Sequence, residues 1–207
     1  MTARAWTVVI PVKPSAHGKS RLDVAGIDRI ALARAIALDT VAAAAACESV
    51  ERVVVVTQDG GLVIQAADIP GLRFVSDEEA IGLDEAVALG AKTAEGRPRA
   101  ALLGDLPALT PTDLAAALDA GAAVDRGVVA DAEGTGSTLV TAREGVAWQS
   151  SFGDGSFARH LEMGCAPLAI PDASPLRRDV DTAEQLAEAA ALGLGPRTAA
   201  LLNARVG

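Results

Sequence analysis

The sequence predicts an α/β fold: one domain built as a three-layer α/β/α sandwich around a mostly parallel sheet. Short, uniformly apolar runs rich in Val, Leu and Ile alternate with longer Ala/Leu/Glu-rich amphipathic segments, the pattern of βαβ units whose strands are covered on both faces. Half of the residues are apolar, yet aromatics make up only 2% and Tyr is absent. The core must therefore come from aliphatic side chains spread over many elements. No Pro/Gly/Ser-rich stretch or charge block divides the 207 residues, a length that suits a single core.

The elements follow in order. An apolar strand spans 6–12, and an alanine-rich helix over 28–47 includes the helix-friendly run 42–46. Strand 52–57, helix 61–67, strand 72–76, helix 83–94 and strand 100–104 continue the alternation. Helix 111–123 starts at Thr110-Pro111, with Pro at its first position and Asp113 in its first turn. Strands 127–131 and 138–142, helix 156–163 and strand 167–170 come next. A last helix over 182–192 is capped by Asp181 and stopped by Gly193 and Gly195-Pro196. In such sheets ligands collect at the carboxyl ends of the strands, near the topological switch point.

A net charge of −9 repels polyanions and argues against nucleic acid or an anionic membrane as partner. A small phosphorylated ligand in a locally basic cleft remains compatible with it. Cys47 and Cys165 lie far apart with no disulfide framework around them, which suits a reducing compartment. The run 6–12 is too short for a signal-peptide core, and no run approaches the ~18 apolar residues of a membrane span. The expectation is a soluble, cytoplasmic protein.

Five segments carry candidate chemistry. The loop after the first strand brings Lys13, Lys19 and Arg21 together around Gly18, where a polyphosphate can be held by cations and backbone N–H groups. It is neither a Walker A loop nor GxGxxG, and a solvated basic loop is the plain alternative. The strand 100–104 ends in Gly104-Asp105-Leu106-Pro107. Asp105 is a hard oxygen ligand suited to Mg²⁺, unless it only caps the following turn. In Arg177-Arg178-Asp179-Val180-Asp181-Thr182, Asp179 and Asp181 share one face of an extended stretch and can converge on one ion.

The turns 130–138 and 151–156, containing Ser137, Thr138, Gly153 and Ser156, offer N–H groups and hydroxyls to a phosphate or carboxylate. Ordinary hairpin turns have the same composition. Finally, Gly82-Leu83-Asp84 opens a helix and is suited either to contact a nucleotide or to cap that helix. His17 and His160 show no ligand spacing and no triad partners, so nucleophilic catalysis of the Ser-His-Asp kind has no support.

The lysine-arginine loop, GDLPAL, GTGS, FGDGS and DVDT occur in this order from Val8 to about Thr198. The set resembles the guanylyltransferases of deazaflavin coenzyme F-420 biosynthesis, which act on 2-phospho-L-lactate or phosphoenolpyruvate. GDLPAL alone recurs in the wider group that includes the molybdenum-cofactor guanylyltransferases. The resemblance implies a nucleotide-diphospho-sugar transferase-like (GT-A-like, Rossmann-type) fold. It implies Mg²⁺ on Asp105, Asp179 and Asp181, and acceptor contacts at Ser137, Gly153 and Ser156. GTP would be bound by Lys13, Lys19, Arg21, Gly82, Leu83, Asp84 and Gly104, and Lys13, Lys19, Arg21 and Asp105 would act in catalysis. The product would be handed to the next enzyme of the pathway.

Family members often carry Thr where Ser137 stands, with Thr138 adjacent, and commonly Asn where Asp84 stands. Other readings of the residues are a molybdopterin or sugar-phosphate acceptor, or a non-catalytic nucleotide-binding module whose acids only cap helices. Oligomeric state is not legible.

Overall fold

Strands of near-continuous Val, Ile and Ala buried on both faces form the centre of the molecule. The computed structural model describes residues 5–13, 22–76, 78 and 80–204. Its elements are β1 (Trp6–Pro11), α1 (Arg29–Ala46), β2 (Val50–Val56), α2 (Gly60–Gln65), β3 (Leu72–Val75), α3 (Leu83–Lys92), β4 (Arg99–Leu102), α4 (Pro111–Ala122), β5 (Arg126–Ala130), β6 (Ser137–Ala142), α5 (Ser156–Glu162), β7 (Ala166–Pro167), a 3-10 turn at Pro175–Arg177, α6 (Ala183–Leu192) and α7 (Pro196–Asn203).

The sheet order is β3-β2-β1-β4-β6-β5-β7. Pairs β1–β2, β1–β4, β2–β3 and β5–β7 are parallel, whereas β6 runs antiparallel to both β4 and β5. The mostly parallel sheet and the layered α/β architecture predicted from the sequence are borne out. Alternate residues of β1 feed opposite layers, as strand pleating requires. Val8 and Ile10 pack with residues of α1, α2 and α4, whereas Val9 joins Val54, Val56 and α3 residues Ala86 and Ala91. Chain order reverses between β1 and β4, so their carboxyl ends at Val12 and Leu103 flank the switch point.

Three boundary expectations are corrected. Gly193 does end α6, but Gly195-Pro196 begins α7 instead of closing the last helix, with Pro at the first position. The cap comes from α1: buried Asp39 accepts from Arg197 N–H at 3.1 Å and Thr198 N–H at 2.8 Å. A Cβ on Gly195 would lie 2.4 Å from Asp39 Cγ, so only glycine admits this approach. The N-cap of α6 is Thr182, not Asp181: its hydroxyl accepts from Gln185 N–H, and the Gln185 side chain returns a bond to the cap. The final strand is also shorter than the predicted 167–170, because only Gly127 and Val128 of β5 pair with it.

No helix among the described residues is long and apolar enough to cross a membrane. Cys47 and Cys165 are buried free thiols.

Candidate active site

A cleft of 780 Å³ opens at the carboxyl edge of the sheet. Its floor is the switch point: Pro11, Val12 and Lys13 leave β1 on one side, and Leu103, Gly104 and Asp105 leave β4 on the other. The loop after β4 is anchored from below, since Leu106 N–H donates to buried Thr40 Oγ1 at 3.0 Å. From above, Val180 N–H donates to the Asp105 carbonyl at 3.0 Å. That bond brings the Asp179–Asp181 segment beside Asp105, and all three acids line the cleft.

Their electrostatics show how close they are. Burial, followed by the negative charge of Asp105 and then of Asp131 and Asp181, pushes the Asp179 carboxyl from its ordinary 3.8 up to about 7. Asp179 Oδ1 is buried and has no hydrogen-bond partner among the described residues. Crowded, desolvated carboxylates of this kind present oxygen-only donors, which suit a hard divalent ion. The residues present thus fit the metal that the sequence implied.

Two further acids join this group. One carboxylate oxygen from each of Asp131, Glu133 and Asp179 lies within 4.8 Å of the others. Asp131 ends β5 and organises the turn to β6, accepting from Thr135 N–H at 2.9 Å and Gly136 N–H at 2.6 Å. A Cβ on Gly136 would stand 2.3 Å from Asp131 Oδ2. Arg177 donates to the Asp131 carbonyl at 2.9 Å, which ties this turn to the Asp179 segment. Arg178 faces away, toward Glu188 at 3.7 Å.

The opposite wall is the turn 150–156. Asp84, in the first turn of α3, accepts from Ser150 Oγ at 2.9 Å and Phe152 N–H at 3.0 Å. It neither caps α3, whose N-cap is Gly82, nor lines the cleft, whereas its neighbour Leu83 does. Arg159 donates to the Ser151 and Phe152 carbonyls at 3.2 and 3.1 Å. Buried His160 receives the Ser151 N–H on Nε2 at 2.9 Å, and its Nδ1 stands 3.0 Å from Ser137 Oγ. Burial holds the His160 pKa below the ordinary 6.5; Arg159 lowers it further, and Asp84 opposes the shift. Phe157 N–H donates to the Thr135 carbonyl at 3.0 Å, joining the two turns.

Of the residues singled out in the sequence, the cleft gathers Lys13, Leu83, Gly104, Asp105, Ser137, Gly153, Ser156, Asp179 and Asp181. Gly82 and Asp84 lie outside its lining, as does Thr138, which is fully buried in β6. Lys19 and Arg21 fall outside the described residues.

The arrangement puts a lysine, a cluster of acids and a hydroxyl-bearing turn around one space. The chain matches, over residues 6–204, the family described as "Guanylyl transferase CofC like". It belongs to that family. One relative, phosphoenolpyruvate guanylyltransferase of Thermomonospora curvata, is 50% identical over 203 residues, covering 95% of this chain and 88% of its own. Among solved structures, a putative nucleotide-diphospho-sugar transferase from Desulfovibrio desulfuricans G20 superposes with a TM-score of 0.58. It is 17% identical and is matched over 90% of this chain and 96% of its own. Rv0371C of Mycobacterium tuberculosis in complex with manganese matches with a TM-score of 0.50 at 19% identity, over 91% of this chain and 98% of its own. At these identities the likeness concerns the fold.

Within this CofC-like chain, sequence reasoning missed Asp131, Glu133, Arg159 and His160. A signal existed for the first two, because Asp131 ends an apolar strand just as Asp105 does. Neither Arg159 nor His160 had one: Arg159 folds back on the turn that precedes its own helix, and His160 reaches both that turn and Ser137 of β6.

Proposed function

We propose that this protein transfers GMP from GTP to phosphoenolpyruvate and releases pyrophosphate, the guanylyl transfer that the sequence resemblance links to coenzyme F-420 biosynthesis. The observation that carries the reading is the single cleft in which Asp105, Asp179 and Asp181 face Ser137, Gly153 and Ser156. Family membership and the names of the relatives support the choice of guanine and of acceptor.

An oxygen of the acceptor phosphate attacks the α-phosphorus of GTP, and the bond from that phosphorus to the bridging oxygen of the β-phosphate breaks. Pyrophosphate leaves with the electron pair. The acceptor phosphate is already ionised at neutral pH, so no general base is required. Lys13 stands at the end of β1, where its ammonium offsets charge on the departing phosphates. Ser137 and the N–H groups of the 153–156 turn orient the acceptor so that its phosphate meets the nucleotide in line. Asp105, Asp179 and Asp181 would hold Mg²⁺, which when bound offsets charge on the phosphate oxygens. The manganese complex of Rv0371C agrees with a divalent ion in this fold.

The test is a pyrophosphate-release screen crossing GTP, ATP, CTP and UTP with phosphoenolpyruvate, 2-phospholactate and phosphoglycerate. The expected outcome is turnover with GTP and phosphoenolpyruvate, reduced by about two to four orders of magnitude in folded Asp105→Asn. Turnover only with another acid would overturn the acceptor assignment. Full activity of Asp105→Asn would overturn the metal assignment.

A further inference from the structure

The reaction above leaves one buried titratable group in the acceptor wall without a role. The ring of His160 is fully enclosed: Nε2 meets Ser151 N–H, Nδ1 meets Ser137 Oγ, and the Ser156 backbone also interacts with the ring. A backbone N–H can only donate, so the bond from Ser151 N–H at 2.9 Å requires a lone pair on Nε2. The proton of the neutral ring must then be on Nδ1, which faces Ser137 Oγ at 3.0 Å. Ser137 accepts that bond with one lone pair, and its own O–H proton is not used on the imidazole. Ser137 Oγ has no other hydrogen-bond partner among the described residues, and Ser137 lines the cleft beside Gly153 and Ser156.

We propose that His160 is a positioning residue for acceptor recognition: its Nδ1–H fixes the Ser137 hydroxyl as a donor toward an anionic oxygen of the acid substrate, while its Nε2 holds the turn that carries Gly153 and Ser156. The acceptor's identity rests on the reaction proposed above, but the hydrogen-bond direction does not. The His160 and Phe152 rings form a T-shaped contact at a centroid distance of 5.2 Å and an interplanar angle of 72°, which restrains rotation of the imidazole about χ2. Placement of one hydroxyl proton is the kind of effect that separates the two substrates: it acts on the acceptor and leaves the nucleotide's contacts alone.

Two substitutions divide the two nitrogens. In His160→Gln the side-chain oxygen can still receive the Ser151 N–H near the Nε2 position but leaves no donor at Ser137. In His160→Asn the amide N–H replaces Nδ1–H and only the Ser151 bond is lost. Steady-state kinetics of His160→Gln should show the KM for phosphoenolpyruvate raised about tenfold, the scale of one hydrogen bond to a charged ligand, with the KM for GTP within about twofold of wild type. His160→Asn should restore most of the acceptor KM. His160→Gln combined with Ser137→Ala should be no worse than Ser137→Ala alone, because the histidine acts through that hydroxyl.

Equal rises in both KM values, or additivity in the double variant, would reduce His160 to a packing residue and overturn the proposal. Imidazole ¹⁵N resonances supply a readout independent of turnover. An Nδ1–H tautomer whose signal shifts on adding phosphoenolpyruvate, and does not shift in Ser137→Ala, supports it; an Nε2–H tautomer overturns it. A wild-type protein that turns over none of the three acids sinks the proposed reaction, and the tautomer experiment still decides this inference.

Discussion

Replacing Asp179 by Asn should make the metal-free protein more stable while removing its response to metal. In the folded chain the Asp179 carboxyl titrates near 7, against an ordinary 3.8, because it is buried beside Asp105 and near Asp131 and Asp181. Between these two values the folded state holds a proton that the unfolded state has released. Stability therefore falls as pH rises from about 4 to about 7, and the loss is complete above 7. At ~1.4 kcal/mol per pKa unit the full difference corresponds to about 4 kcal/mol. Burial is the largest cause of the shift and repulsion by Asp105 the next; because an Asn amide stays desolvated there, roughly half, ~2 kcal/mol, is expected to return.

For a chain of this length that raises Tm by about 4–8 °C. The measurement is thermal and urea unfolding of wild type and Asp179→Asn with a chelator at pH 8 and at pH 4, then with Mg²⁺ at pH 8. The variant should lead at pH 8, converge with wild type at pH 4, and gain much less from Mg²⁺, since ligand stabilisation follows affinity for the folded state. A variant no more stable than wild type at pH 8 without metal, or equally stabilised by Mg²⁺, would refute the reasoning.

Asp39→Ala removes both bonds that start α7 and should cost about 2 kcal/mol, lowering Tm by about 4–8 °C with little change in either KM. Asp84→Ala should raise the acceptor KM about tenfold by releasing Ser150 and Phe152 N–H, whereas Asp84→Asn keeps an acceptor oxygen there and should stay near wild type. A change confined to the KM for GTP would instead return Asp84 to the nucleotide. His160 is held below its ordinary pKa by burial, so the unfolded chain binds the extra proton. Its contribution to stability is complete above about pH 7 and is lost as pH falls through 6.5 toward the folded pKa. The wild-type curve minus that of His160→Asn should show this slope, and a flat difference between pH 5 and 7 would refute it.

What local pattern controls was legible. The Val-rich runs that became β1 and β2, the Thr110-Pro111 start of α4 and the Gly193 stop of α6 depend on neighbours a few residues away. The failures are of another kind. Gly195-Pro196 reads locally as a terminator, yet it starts a helix because Asp39, far back in the chain, supplies the missing cap. Asp181 reads locally as a cap, yet Thr182 takes that role through its own capping box.

By itself the sequence determined the alternation of strands and helices, the strand-ending Asp105, the Asp179–Asp181 pair and the order of motifs along the chain. All of these depend on residue type and short spacing. Only the tertiary structure decided that Asp131 and Glu133 join Asp179, that Ser137 and not Thr138 faces the cleft, and that His160 ties the 151–156 turn to Ser137. Strand pairing sets which side chain of an alternating pair faces the ligand, and that pairing is a long-range contact no local pattern encodes.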